Sequence, residues 1–376
     1  MQLSTKEQSS LIYKPSLNFF KLFSLIFGIS SGIATTTLIF CNGDTKHFVL
    51  LQVFCVIIAF INHFGTLQVS ELLENRGLIS SNLNRDSTHR KIPEPGALLG
   101  CALYIICMIC VQLVHKGQCE ELLKYNAGLV SITLMTLLGF IDDVLLLNWW
   151  SKIITPILAS LPLCLAHSES TVVKLPSILP VFGSLELDIG YVYYIYMIFL
   201  TVFCANSINI YAGINGLEIG QSLVMAFFVL IYNSIHRFSF YLTLPFIAIN
   251  ISLLCYNWYP AVLFVGNTYS LFAGTYFSVI SILGNFSKIM PFIFIPQLIN
   301  FILSLPQLFG IVPCPRHRIP RYNQKTDRLE YSRNLTLINL FLWVFGPMKE
   351  EMLSFSLIVF QTFCCTLGLI LKYSAN

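Results

Sequence analysis

Two adjacent acids, Asp142 and Asp143, end an apolar run in a chain with few charges. Paired carboxylates at such a boundary repel each other and lose hydration unless a cation or a donor sits beside them. They suit a hard divalent ion, a general base, or a salt bridge to Lys152 or Arg318. Further along, the segment Asn206–Glu218 sets Asn206, Asn209, Gly213, Asn215, Gly216 and Glu218 between two apolar runs. If the first run continues as a helix, Asn206 and Asn209 share one face. The two glycines then mark a turn where backbone can approach a ligand, with Asn215 and Glu218 beside it. A helix end capped by Asn and Gly is the plainer reading, but polar groups at membrane depth point to function. The segment Pro313–Arg321 packs Arg316, His317, Arg318 and Arg321 between prolines. Proline stiffens such a loop, and guanidinium forks match phosphate oxygens; a basic loop touching lipid headgroups is the alternative. Phe264 stands three residues ahead of Asn267, offering a ring to stack on a base and an amide oxygen to a metal. Acids, amide oxygens, a lysine and an arginine clamp together fit phosphoryl transfer, where positioning and charge neutralisation dominate.

The elements that must position these residues are membrane helices. Of 376 residues 56% are apolar and only 11% charged, and the mean hydropathy is +0.73, where a soluble domain carries about a quarter charged residues. The expected fold is an all-α, polytopic membrane bundle of ten or eleven transmembrane helices, one integral domain over residues 1–376. The candidate spans are Leu17–Phe40, Phe48–Phe64, Gly96–Val114, Ala127–Leu147, Ile153–Ala166, Ile189–Ile210, Ile219–Ile235, Phe240–Tyr256, Tyr269–Leu283, Ile289–Phe309 and Leu353–Leu371. The first is expected to be retained rather than cleaved as a signal peptide. The stretch Leu335–Phe345 is too short to span and is placed at the interface. With a cytosolic N-terminus, most of the 22 lysines and arginines fall on the cytosolic side. So do Glu94, Asp142, Asp143, Lys152, Asn206–Glu218, Asn267 and the arginine loop, a convergence that scatter would not produce. A net charge of +4 is too small and dispersed for nucleic acid. Cys107 and Cys110, inside a span without partner histidines, read as packing residues rather than a zinc site.

Five stretches carry a resemblance: Gly139–Leu145, Asn206–Ser222, Asn257–Pro260 with Phe264–Thr268, Gly284–Lys288, and Pro313–Arg321. They resemble the polyprenyl-phosphate N-acetylhexosamine-1-phosphate transferases of glycosyltransferase family 4, and the His317–Arg321 loop favours the dolichol branch. The similarity runs from about Asn82 to the C-terminus; residues 1–81 diverge and leave room for one extra span. The resemblance implies transfer of GlcNAc-1-phosphate from UDP-GlcNAc to dolichyl phosphate, releasing UMP, at the cytosolic face of the endoplasmic reticulum membrane, to begin N-glycan assembly. It implies Mg²⁺ held by Asn209 and position 267. It also places Ser81, Asn82, Leu83, Glu94, Asn206, Gly213 and Asn215 in the substrate site, with Leu83, Glu94, Gly213 and Asn215 around the uridine. Phe264 would stack on uracil, Arg316, His317 and Arg318 would grip diphosphate and sugar, and Lys152 would meet the lipid phosphate beside Asp142 and Asp143. The expected partners are the two substrates, membrane lipid and a second copy in a homodimer. Two departures stand out: the family usually has Asp where this chain has Asn267, and Asn where it has Leu146. They imply weakened metal affinity, or in the alternative a silent homologue. A nucleotide-sugar or lipid transporter is the remaining alternative, but its site belongs at the bilayer midplane between repeats, and no repeat is evident.

Overall fold

The computed structural model describes residues 15, 17–40, 45–83, 91–114, 119–148, 150–167, 171–174, 186–232, 237–315 and 317–374. The described elements start with α1 (Phe19–Phe40) and α2 (Thr45–Asn75), then a short hairpin of β1 (Ile79–Ser81) and β2 (Lys91–Pro93). Next come α3 (Leu98–Val114), α4 (Cys119–Leu145), α5 (Ser151–Ala166), and a second hairpin of β3 (Val172–Lys174) and β4 (Glu186–Asp188). Helices α6 (Tyr191–Ile210), α7 (Leu217–Tyr232), α8 (Arg237–Asn257) and α9 (Gly266–Leu283) follow. A 3₁₀ turn (Ser287–Ile289), α10 (Met290–Ile293) and α11 (Ile295–Leu308) form a broken helix, and the third hairpin, β5 (Arg321–Asn323) with β6 (Arg328–Glu330), leads to α12 (Leu337–Phe345) and α13 (Glu350–Ser374).

In its described residues, each apolar stretch expected to span coincides with one of these helices, or with the broken helix for 289–309. By length and composition, six are sufficient to cross a membrane, or up to seven if the pair bent by 70° after Ile293 is one span. The difference from ten or eleven has a physical reason: α3, α5 and α7 are apolar but hold 17, 16 and 16 residues, short of the roughly 20 that a hydrocarbon core requires, and α9, with 18 residues, carries Asn267 and a series of hydroxyl side chains. Helix α12 has nine residues and leaves Trp343 and Phe345 exposed at its end.

Two helices lie at the centre. Helix α8 is buried along its whole apolar length, and α9 is buried from Thr268 to Leu283. Helix α9 packs on α4 and α6, and α8 on α1, α2, α3 and α7. Lipid tails are as apolar as Leu, so such helices associate through close backbone approach and polar links. A Cβ on Gly274 of α9 would stand 2.1 Å from the Cys204 carbonyl oxygen of α6, and one on Gly139 of α4 would stand 2.6 Å from the Asn267 carbonyl oxygen. Buried amides supply polar links. Gln297 Nε2, just past the break in the broken helix, donates to Gln221 Oε1 of α7 at 2.6 Å and to Gln361 Oε1 of α13 at 2.7 Å, and Gln361 Nε2 donates to the freed Ile293 carbonyl at 2.8 Å. A separate apolar cluster of Tyr211, Ile214, Leu217, Leu329, Leu337, Ile338, Leu342, Leu353 and Leu357 packs the third hairpin and α12 over one end of the bundle.

Candidate active site

The end of the bundle under that cluster gathers most of the residues singled out in the sequence. Asp142, in the last turn of α4, is buried and pairs with Lys152 Nζ at 2.7 Å, while its Oδ1 accepts the Leu147 N–H at 2.9 Å. The placement is unusual for both partners. An acid at a helix C-terminus and a lysine in the first turn of α5 each oppose their helix dipole, so each charge is matched by the other across the α4–α5 turn. Asn206 of α6 holds the same turn, its Nδ2 donating to the Lys152 carbonyl at 3.0 Å. Leu146, between the acids and the lysine, is exposed and left-handed at φ +53°, a conformation that costs an ordinary side chain about 1–2 kcal/mol and that Asn tolerates better.

Asp143 faces the other way. Its Oδ1 accepts the Asn267 N–H at 2.7 Å, and its Oδ2 accepts the Thr268 N–H at 2.8 Å and the Thr268 hydroxyl at 2.7 Å. A carboxylate on the free N–H groups of a helix N-terminus is favoured by hydrogen bonding and by the dipole together, so Asp143 caps α9 from a different helix. Glycine makes the approach possible twice over. Gly139, one turn back, lets α4 lie on the α9 backbone, and a Cβ on Gly266 (φ +77°) would fall 2.5 Å from Asp143 Oδ2. Asn267, fixed in this way, meets α6: Asn209 Nδ2 donates to Asn267 Oδ1 at 2.8 Å. Asn206 and Asn209 therefore share a face of α6, as their spacing predicts, and reach α5 and α9 respectively.

The first hairpin closes one side. Glu94 follows β2, is half-buried, and accepts a hydrogen bond from the Ser80 hydroxyl. Burial pushes its carboxyl above the usual range, the charge of Asp143 adds to the rise, and the Ser80 hydroxyl opposes it. Phe264 joins this hairpin through its backbone, donating to the Pro93 carbonyl at 3.0 Å and accepting from the Gly96 N–H at 2.8 Å. Asn82 is buried, whereas Ser81 and Leu83 are exposed, and neither exposed side chain enters the hydrogen-bonded network among the described residues.

The loop after α6 meets the arginine loop. Gly213 (φ +134°) lies beside Ile319, whose Cγ2 would be 3.2 Å from an added Cβ, so the arginine loop rests on the turn carrying Asn215. Arg318 is half-buried; its Nη1 is buried with no acceptor, and burial lowers the guanidinium from its ordinary value. His317 is exposed, and Arg316 lies outside the described residues. Asn215 is buried with its side-chain Nδ2 likewise unpaired.

Several further residues of this site were given no role by the sequence, although Asn257 and Thr268 lie in stretches that carry the resemblance. Thr268 secures Asp143, and Asn257 Oδ1 accepts the Gly216 N–H at 3.1 Å. Asn300 Nδ2 donates to the Ile210 carbonyl at 3.1 Å while its Oδ1 accepts the Leu337 N–H at 2.8 Å. Asn339 Oδ1 accepts the Ser332 N–H at 2.9 Å, and its Nδ2 reaches the Arg318 carbonyl at 3.5 Å. Glu350 and Ser354 hold Asn215. All but Asn339 act across a long sequence separation. Asn339 had a further nearby cue, since Thr336 ahead of an apolar run is a helix-start pattern.

A cation fits the Asn209–Asn267 pair only in part. Amide oxygens are hard neutral ligands that suit Mg²⁺, but Asn267 Oδ1 already accepts from Asn209. Among the described residues no cluster of three or more His, Cys, Asp or Glu is arranged to hold a metal. The pair therefore suits an ion shared with an anionic substrate and water. Arg318 Nη1 and Asn215 Nδ2 are thus two buried donors without acceptors at this end of the bundle, and acceptor atoms of a ligand would satisfy them.

Comparison with known proteins gives a consistent result. The profile of glycosyl transferase family 4 matches residues 125–285. The chain is 42% identical over 342 residues to the UDP-N-acetylglucosamine–dolichyl-phosphate N-acetylglucosaminephosphotransferase of Dictyostelium discoideum, covering 81% of this chain and 84% of the relative. It is 34% identical over 382 residues to the protein of that name from Schizosaccharomyces pombe, covering 79% and 85%. For the one from Saccharomyces cerevisiae the figures are 36% over 300 residues, covering 65% and 67%.

Proposed function

Because this chain belongs to glycosyl transferase family 4, among the UDP-N-acetylglucosamine–dolichyl-phosphate N-acetylglucosaminephosphotransferases, we propose that it transfers GlcNAc-1-phosphate from UDP-GlcNAc to dolichyl phosphate. The products are dolichyl-diphosphate-GlcNAc and UMP. The observation that carries this reading is the pair of buried, unpartnered donors, Arg318 Nη1 and Asn215 Nδ2, at one end of the bundle. A sugar nucleotide brings the missing acceptors in its diphosphate and base. The lipid substrate is apolar behind its phosphate, which fits an active site at the end of a membrane bundle. We place that end at the cytosolic face of the endoplasmic reticulum membrane, on the excess of Lys and Arg in its loops.

Lys152 binds the phosphate of dolichyl phosphate, with Asp142 holding the ammonium in place. A phosphate monoester is largely ionised near neutral pH, so its oxygen attacks the β-phosphorus of UDP-GlcNAc without a strong base, and the bond to UMP breaks. Asp143, with both oxygens bound to α9, positions Asn267 rather than moving a proton. Arg318, with Arg316 and His317 from the same loop, neutralises the diphosphate. Asn215, Glu94, Leu83 and Phe264 surround the uridine. Mg²⁺, held by Asn209 and Asn267 together with the diphosphate, would supply further neutralisation of the charge that develops on phosphate oxygens; with Asn at 267 in place of a carboxylate, its affinity is low.

The test is incubation of the protein, reconstituted in sealed lipid vesicles, with radiolabelled UDP-GlcNAc and dolichyl phosphate across a Mg²⁺ titration. Lipid-soluble label with equimolar UMP is the expected result, rising to millimolar Mg²⁺. Label sealed inside vesicles would mean transport, and no product at any Mg²⁺ level, with turnover restored by Asn267→Asp, would mean a silent homologue.

A further inference from the structure

We propose that Glu350 and Ser354 are positioning residues for the nucleotide: the last helix, α13, clamps the backbone of Asn215 at both its donor and its acceptor and so sets where the side-chain amide meets the substrate. This deepens the reading above and rests on it. The loop between α6 and α7 has two glycines at positive φ, Gly213 at +134° and Gly216 at +81°. Glycine permits these angles but imposes none, so the loop needs fixing from outside. Glu350 Oε1 accepts the Asn215 N–H at 2.8 Å, and Ser354 Oγ donates to the Asn215 carbonyl at 2.8 Å. Residues four apart share a helix face. This face presents one acceptor and one donor, both buried, to the one donor and one acceptor of a single residue.

An acid in the first turn of a helix is stabilising by itself, and Glu350 with Glu351 fits that plainer role. It does not explain Ser354, a full turn inside the helix, or why both bonds end on the same residue. With its backbone groups taken, Asn215 has only its side chain left for other work. That side chain is buried, and its Nδ2 lacks an acceptor. A buried unpaired donor is costly, and a carbonyl or phosphate oxygen of a nucleotide removes the cost. The clamp thus joins the C-terminal helix to nucleotide affinity and leaves the lipid substrate to other residues.

The experiment uses the full chain in detergent micelles. It reads the Kd for UDP-GlcNAc by calorimetry and the two KM values by turnover. Glu350→Ala and Ser354→Ala should each weaken UDP-GlcNAc by about tenfold and leave the KM for dolichyl phosphate unchanged. Glu350→Gln, which keeps an oxygen for the Asn215 N–H, should stay within about threefold of the parent. Asn215→Ala separates two kinds of failure. If it leaves UDP-GlcNAc affinity intact, the nucleotide reading of the loop falls and the clamp with it. If it weakens affinity while Ser354→Ala and Glu350→Ala do not, the clamp alone is overturned. A fall in kcat with both KM values intact would also overturn it. Should Glu350→Ala fail to fold, Ser354→Ala against Asn215→Ala makes the same comparison.

Discussion

Lys152 and Asp142 sit 2.7 Å apart at helix ends that suit neither charge, which makes their separate removal unequal to their joint removal. Lys152→Ala leaves the carboxylate of Asp142, 2% exposed, without its cation. We expect a loss of about 2–3 kcal/mol, below the 3–5 for a wholly buried pair because Lys152 keeps some contact with solvent. Adding Asp142→Asn removes the stranded charge and should restore thermal stability in micelles while leaving the requirement for dolichyl phosphate raised. A double variant no more stable than Lys152→Ala would show that the pair does not carry this burial. Glu94 gives a pH prediction. Its folded-state carboxyl is raised by burial, so the stability it contributes is complete below the ordinary carboxylate range and is lost as pH rises through the raised value. Glu94→Gln ends that titration. It should melt higher than the parent at pH 8, with the gap closing toward pH 4; parallel curves would place this carboxylate in water.

At the level of elements, α9 decides the site, and its placement depends on glycine more than on charge. Gly274 meets the α6 backbone with no room for a methyl group, whereas a Cβ on Gly28 of α1 meets nothing within 4 Å. Gly274→Ala should therefore part α6 from α9, destabilise by about 1–3 kcal/mol or more, and break the Asn209–Asn267 contact. Gly28→Ala should be neutral or better, as Ala favours helix by about 1 kcal/mol. Thermal denaturation of both variants, with Mg²⁺-dependent turnover of the first, checks the contrast. The same helix shows what a sequence can and cannot reveal. The apolar runs located the helices, because a lipid-facing or core-facing helix must be apolar along its length. The i, i+3 spacing put Asn206 and Asn209 on one face. The acid pair stood out in the sequence, but its division did not: nothing local tells that Asp142 turns to Lys152 while Asp143 turns to α9. Glu350, Ser354 and Asn300 were invisible for a related reason. Each makes ordinary bonds to backbone atoms far away in sequence, and an acid, a serine or an amide in a helix carries no pattern that names a distant partner.

For the whole molecule, alternating helices bring the ends of α4, α6 and α8 and the starts of α5, α7, α9 and α13 into one region, and the activity proposed for that region requires it to face the cytosol. Two native cysteines make the orientation measurable. Cys119 and Cys314 are exposed, and the other described cysteines are buried or half-buried. Cys119 starts α4, whose far end carries Asp142. At 1.5 Å per residue the two lie about 35 Å apart along the helix, more than the roughly 30 Å of a hydrocarbon core. Cys314 lies beyond α11 in the arginine loop and is tied to the site through Pro313, whose carbonyl accepts from Gln307 Nε2 at 3.0 Å. With Cys41, outside the described residues, replaced by Ser, a membrane-impermeant thiol reagent applied to sealed microsomes should label Cys314 at once. Cys119 should react only after the membrane is opened, with Cys314→Ser and Cys119→Ser assigning the two signals. Labelling of both from one side would separate the arginine loop from the membrane face that binds the lipid phosphate, and a shared site for sugar nucleotide and dolichyl phosphate would no longer be possible.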